Sequence, residues 1–300
     1  MVGLRSAAWG VLAAAAVAVG ACGGPSDEEV RDERANFVRE ADALCDATID
    51  KLARGAQPST YRALTERMKR DEKTLRSANA DLHELREKLG DSASKQVVAF
   101  DRRLDAVHAS TRRIGHNAER RDARGTRRSA TRLRTSYDAL YRAAGAAKLR
   151  RCGRGGNKAA DLALFTVYRD EFLTVTADVN LRLRGLQDNP QTPEAFRRYL
   201  HRSLPLVGSY RGRMGHLSPP QALRRSHRLL LRRTTRAVGT ARRLLRMLDR
   251  GQLGGGVQLV AVRLGHQARL LDAADRAIRR ILSTPGGRRA VPGPGATNAA

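Results

Sequence analysis

The chain of 300 residues carries 57 Lys and Arg against 30 Asp and Glu, a formal net charge of +27, and only 4% of its residues are aromatic. That length is enough for two domains of ordinary size, so a core can be built without metal staples. Beyond the first twenty residues no apolar stretch is long enough to cross hydrocarbon, which excludes a polytopic helical membrane protein.

The chain opens with a basic start at Arg5, an apolar run from Ala7 to Val19, and then Val19, Gly20, Ala21, Cys22. That order is the order of a signal peptide. The apolar run is about half of the roughly 20 residues that a permanent span requires. The last four residues resemble the lipobox of bacterial lipoproteins, with one departure at Val19, where Leu is commonest. The resemblance implies residues 1–21 as a signal peptide, cleavage before Cys22, lipidation of that cysteine, and residues 22–29 as the lipidated tether. Gly23, Gly24, Pro25 and Ser26 supply the flexibility such a tether needs. An ordinary cleaved signal with Cys22 as a bystander is the competing reading.

From residue 30 onward β-branched runs are absent and apolar residues recur at steps of three and four, which predicts an all-α chain. A first helix carries Phe37, Ala41, Leu44, Thr48 and Leu52. The second carries a heptad seam of Tyr61, Leu64, Met68, Leu75, Ala78, Leu82, Leu85 and Leu89, interrupted by Asp71. Val97, Phe100, Leu104, Val107, Thr111, Ile114 and Ala118 mark a third helix, and Ala130, Leu133, Tyr137, Leu140 and Ala144 a fourth. Breaks are expected at Gly55–Ser59, Gly90–Ser94, near Gly125, and at Gly153–Gly156.

The second half repeats this plan. Its helices are expected on Phe165, Tyr168, Phe172, Val175, Val179 and Leu186; on Phe196, Leu200, Val207, Tyr210, Met214 and Leu217; on Leu223, Leu230, Val238, Ala241, Leu245 and Leu248; and on Val257, Val260, Leu264, Leu271, Ala274, Ile278 and Ile281. Short connections and seams of this period predict two tandem antiparallel four-helix bundles, residues 30–153 and 160–282, with a disordered tail at 283–300. A loose echo of Phe37, Ala41 and Asp42 in Phe172, Ala177 and Asp178 hints at an internal duplication. Long helices shared between the halves are the alternative, against which the Gly153–Gly156 break argues.

With Cys22 assigned to lipid, Cys45 and Cys152 form an even pair in an oxidising compartment, and a disulfide between them is expected to close the first bundle. The segment Phe37 to Cys45, with Ala41, Asp42 and Ala43, taken together with Arg151, Cys152 and Gly153, resembles a pattern in uncharacterised exported helical proteins of high-GC Gram-positive bacteria. The resemblance covers residues 37–153. It implies a disulfide-stapled helical domain outside the membrane and carries no activity, ligand or catalytic residue.

No phosphate-binding loop, dinucleotide fingerprint, zinc-protease helix or nucleophile elbow occurs, so no catalytic residue, metal site or cofactor is assigned and a non-enzymatic protein is expected. The seven histidines read as isolated surface residues. Asp71, on a core position, reads either as a polar pocket or as a register-setting residue, with arginines of facing helices as expected partners. The most informative interval is Ala195–Leu248, with 14 arginines and no Asp or Glu. Arg224, Arg225, Arg228, Arg232, Arg233, Arg236, Arg242, Arg243 and Arg246 share one helix beside an apolar line, and guanidinium groups pair bidentately with phosphate and carboxylate. These nine are the candidate polyanion-binding residues; a solvated face in an arginine-biased composition is the bland alternative. The expectation is a cell-envelope lipoprotein on the extracytoplasmic face of the cell membrane, binding anionic lipids, wall polymers or a protein partner and not nucleic acid. A small-ligand or metal-binding bundle is the alternative.

Overall fold

A computed structural model describes residues 27–90, 93–154, 157–186 and 192–283. The leader, Cys22 and the tail from residue 284 lie outside them. Among the described residues the chain forms eight α-helices and no strand: α1 (Asp27–Ala53), α2 (Tyr61–Lys88), α3 (Lys95–Glu119), α4 (Ala123–Ala146), α5 (Asn157–Arg184), α6 (Pro193–Gly215), α7 (Arg224–Asp249) and α8 (Gly255–Ser283). Each packs on its neighbour in sequence, the arrangement that short connections between amphipathic helices impose.

Side-chain caps place several helix starts. Thr60 accepts from the Ala63 N–H at 3.1 Å, Ser94 from Val97 at 3.3 Å, Asp122 from Gly125 at 2.8 Å and Thr192 from Ala195 at 3.2 Å. The Asp122 cap moves the break between α3 and α4 ahead of Gly125, near which it was expected. Gly125 lies in the first turn of α4, where a Cβ would stand 2.2 Å from the Asp122 carboxylate.

The first core joins the predicted seams: Leu64 and Met68 of α2, Phe100, Val107 and Ile114 of α3, and Leu133 of α4 are buried together. The sulfurs of Cys45 on α1 and Cys152 beyond α4 are 2.04 Å apart, at disulfide distance, with Cα atoms separated by 5.0 Å.

Helix α5 belongs to two cores. Its Ala160, Ala163 and Val167 enter the first, whereas Phe165, Tyr168, Phe172, Val175 and Val179 pack with α6, α7 and α8 in the second. Of the expected break, Gly153 lies in a turn between α4 and α5, yet α5 serves both halves. Its inward face toward α2 and α4 is built from alanines, which let helices approach closely and leave little trace in a pattern of large residues. Polar contacts reinforce the junction: Arg127 of α4 pairs with Glu171 at 2.6 Å, Arg134 pairs with Asp161, and the Thr166 hydroxyl donates to the Pro58 carbonyl at 3.1 Å.

At the far end of the second half, α6, α7 and α8 close on a smaller cluster of Leu200, Ala241, Leu244, Leu248 and Val260. Here the α7 seam runs one residue from the expected position: Leu244 is fully buried and Leu245 half-buried. Leu186 lies past the end of α5.

Candidate functional site

Helix α7 turns His227, Leu230, Thr234, Ala237, Val238, Ala241, Leu244 and Leu248 inward. At about 100° per residue those positions occupy one side of the cylinder, so eight of the nine candidate arginines fall within an arc of roughly 120° on the other. Arg233 stands at the edge of that arc, half-buried, and donates from Nη1 to the Leu270 carbonyl of α8 at 2.6 Å. Among the described residues none of the nine arginines forms an ion pair. The carboxylates nearest along the chain are engaged elsewhere, Asp249 with His201 at 3.3 Å, Asp272 with Arg276, and Asp275 with Arg279 at 2.5 Å.

Packing divides the nine. Arg232, Arg233, Arg236 and Arg243 line a cleft of about 870 Å³ between α7 and α8, where Gly239 and Thr240 form part of the floor. Across it α8 contributes Arg263 and His266, which no motif in the sequence had marked. Arg224 faces a second cleft of about 570 Å³ with Arg127, Arg128 and Arg132 of α4. The remaining four, Arg225, Arg228, Arg242 and Arg246, are exposed.

Beside the first cleft α8 carries an apolar lip. Leu259 and Val262 are 73% and 70% exposed, Leu270 lines the cleft itself, and Leu253 in the preceding turn is 59% exposed. Isolated exposed apolar residues are ordinary. Here Leu259, Val262 and Leu270 stand on the helix that also carries Arg263 and His266, so α8 adds both apolar and basic groups beside the arginines of α7.

Asp71 and His227 are occupied internally. Asp71 takes its partner from its own helix and not from a facing one: Arg67 Nε lies 2.8 Å from its Oδ1, both side chains are buried, and Arg67 also donates to the Leu52 carbonyl. Burial holds the Asp71 carboxyl above its ordinary value, with Arg67 opposing. Asp71 lines a cavity of about 60 Å³ with Thr111 and Tyr137, room for a few waters and not for an organic ligand.

The histidines are less uniform than expected. His227 is 3% exposed, its Nδ1 2.9 Å from the Tyr168 hydroxyl, and it also donates to the Met214 carbonyl. Burial lowers its pKa below the ordinary value. His83 contacts Glu87 at 3.1 Å, one helical turn away, and Asp101 at 3.4 Å. Among the described residues no group of three His, Cys, Asp or Glu side chains is placed to hold a metal ion. None of the described helices is long and apolar enough to cross a membrane.

Comparison with family models, with curated proteins and with solved structures finds no match to the chain.

Proposed function

We propose that this chain is a non-enzymatic envelope lipoprotein, anchored through Cys22 at the extracytoplasmic face of the cell membrane, whose α7/α8 surface docks on anionic phospholipid. The observation that carries the reading is the row of arginines on α7, without ion pairs among the described residues, running beside the exposed Leu259 and Val262 of α8. A basic residue close to an anionic leaflet contributes about 1 kcal/mol. Arg232, Arg236 and Arg243 with two apolar side chains worth about 1.5–3 kcal/mol each when buried supply a gross attraction comparable with that of one acyl chain. The apolar lip favours lipid over a wall polymer, which would pair with the guanidinium groups and leave Leu259 and Val262 in water.

Two substitution sets test this on the protein carrying Cys22→Ser. Replacing Arg232, Arg236 and Arg243 with Gln removes charge, and replacing Leu259 and Val262 with Gln removes the lip; each is expected to lower partition onto phosphatidylglycerol vesicles at least tenfold. Loss with the arginine set alone would move the assignment to a phosphate-bearing polymer. Retention with both would reject the surface altogether.

A further inference from the structure

The first half holds a cleft that the α7/α8 reading does not use. It opens where the second and third turns of α1 and the start of α3 meet the end of α4 and the loop after it, and measures about 1250 Å³. Its floor is apolar, formed by the exposed Tyr141, the half-buried Val38 of α1 and the edges of the core residues Phe37, Leu89 and Val97. Around the mouth stand Arg31, Arg142, Lys148, Arg150 and Arg154, and among the described residues no carboxylate lines it. Arg150 is held there because its backbone N–H is taken by Asp42 at 3.0 Å, leaving its side chain outside that contact. The first turn of α3, with Ser94 and Gln96, adds the partial positive charge of a helix amino end.

We infer that this cleft binds one anionic amphiphile with a single alkyl chain, the chain lying on the Phe37–Val97–Tyr141 base and the acidic head among the cations at the mouth. The lining decides against the rivals. A phosphate polymer has no use for the apolar floor, and a neutral lipid has none for the cations. The volume exceeds the roughly 300–1,000 Å³ of ordinary small-molecule pockets, which leaves room for a long chain with its head. The mouth is formed partly by α1, whose helix begins five residues beyond Cys22, within roughly 17 Å of extended chain. On the anchored protein the site would lie close to the membrane that supplies such molecules, although its chemistry rests on α1, α3 and α4 and not on the anchor or on α7.

The test is titration calorimetry of the full chain carrying Cys22→Ser with lauroyl lysophosphatidylglycerol below its micelle concentration. One molecule should bind per chain. Gly145 lines the cleft on α4, and a Cβ there meets nothing within 4 Å, so Gly145→Trp plugs the cleft without disturbing the core. Gly145→Trp and Arg142→Glu should each weaken binding at least tenfold, while Leu181→Gln, at an exposed α5 residue that lines neither cleft, leaves it unchanged. Dodecanoate in place of the lysophospholipid tells a free fatty acid from a lipid phosphate; saturable binding of either supports the site. Absence of saturable binding to both overturns it. So does equal affinity for glycerol phosphate, which lacks the chain, or for dodecyl maltoside, which lacks the charge.

Discussion

The Asp42 carboxylate on α1 accepts the backbone N–H of Arg151 at 2.8 Å, across 109 residues of sequence, and its second oxygen takes the N–H of Arg150. This clasp holds the loop after α4 against α1 one turn from Cys45, so that Cys152 arrives at bonding distance. Gly153 completes the turn in left-handed backbone, φ +79°, where a Cβ would stand 2.9 Å from the Tyr141 Cα.

Loosening the clasp should therefore be felt at the cysteines. Asp42→Ala is expected to destabilise by about 1–2 kcal/mol, from loss of charge-assisted hydrogen bonds at a partly exposed site. Gly153→Ala should cost about 2 kcal/mol or more, since both φ and space oppose a methyl group. Urea unfolding monitored by circular dichroism measures both; an unchanged midpoint in Gly153→Ala would contradict the account.

The cysteine pair of the first half was legible by elimination, whereas the clasp of Asp42 and the left-handed turn at Gly153 were not read from the sequence. Phe37 and Ala41 are core, Asp42 is the clasp, and Cys45, Cys152 and Gly153 form the staple. Seams of Leu, Met and Phe spaced at three and four likewise announced the helices. What stayed hidden arises between elements. The alanine face of α5 gives no periodic signal of large residues, so its membership of both cores was missed. Arg67 sits three residues from Leu64 and four from Asp71, and nothing local tells that it turns inward. The arginine row of α7 was visible because one helix carries it. Arg263, His266, Leu259 and Val262 join it only through the packing of α8, and the cleft at the end of the first half draws on three helices and a loop.

The cysteine pair closes a sequence separation of 107 residues, for which the chain-entropy model allows at most about 4.7 kcal/mol. Mass spectrometry without reductant should find the chain 2 Da lighter than its fully reduced form. Reduction should lower the melting temperature, and a reduced protein melting where the oxidised one does would contradict a stabilising staple.

The buried pair in the first core is expected to be asymmetric. Asp71→Leu leaves the Arg67 guanidinium in the interior with the Leu52 carbonyl as its remaining partner, at a cost of about 3–5 kcal/mol. The double change Arg67→Met with Asp71→Leu should recover most of that loss. Unfolding of the single and double variants in the same denaturant series compares them, and a double variant as unstable as the single would show that the pair is needed for more than mutual neutralisation.

His227 should make the second half acid-sensitive. Its pKa is lowered in the fold by burial, so the unfolded chain binds a proton first as pH falls. The stability from keeping it neutral is complete above the ordinary histidine value of about 6.5 and is lost progressively below it, by at most about 1.4 kcal/mol per pH unit. His227→Gln should be less stable at neutral pH and should flatten this part of the pH profile. A slope below pH 6.5 that survives the substitution would assign it to other groups.

The α7/α8 surface is tested most directly by the salt dependence of vesicle binding in the Cys22→Ser protein, where no acyl chain of its own can hold it. Partition onto phosphatidylglycerol vesicles should fall steeply between low and physiological ionic strength and be weak on phosphatidylcholine at every salt concentration. Binding that ignores salt, or that is equal on the two lipids, would contradict the claim that the arginines of α7 meet an anionic membrane.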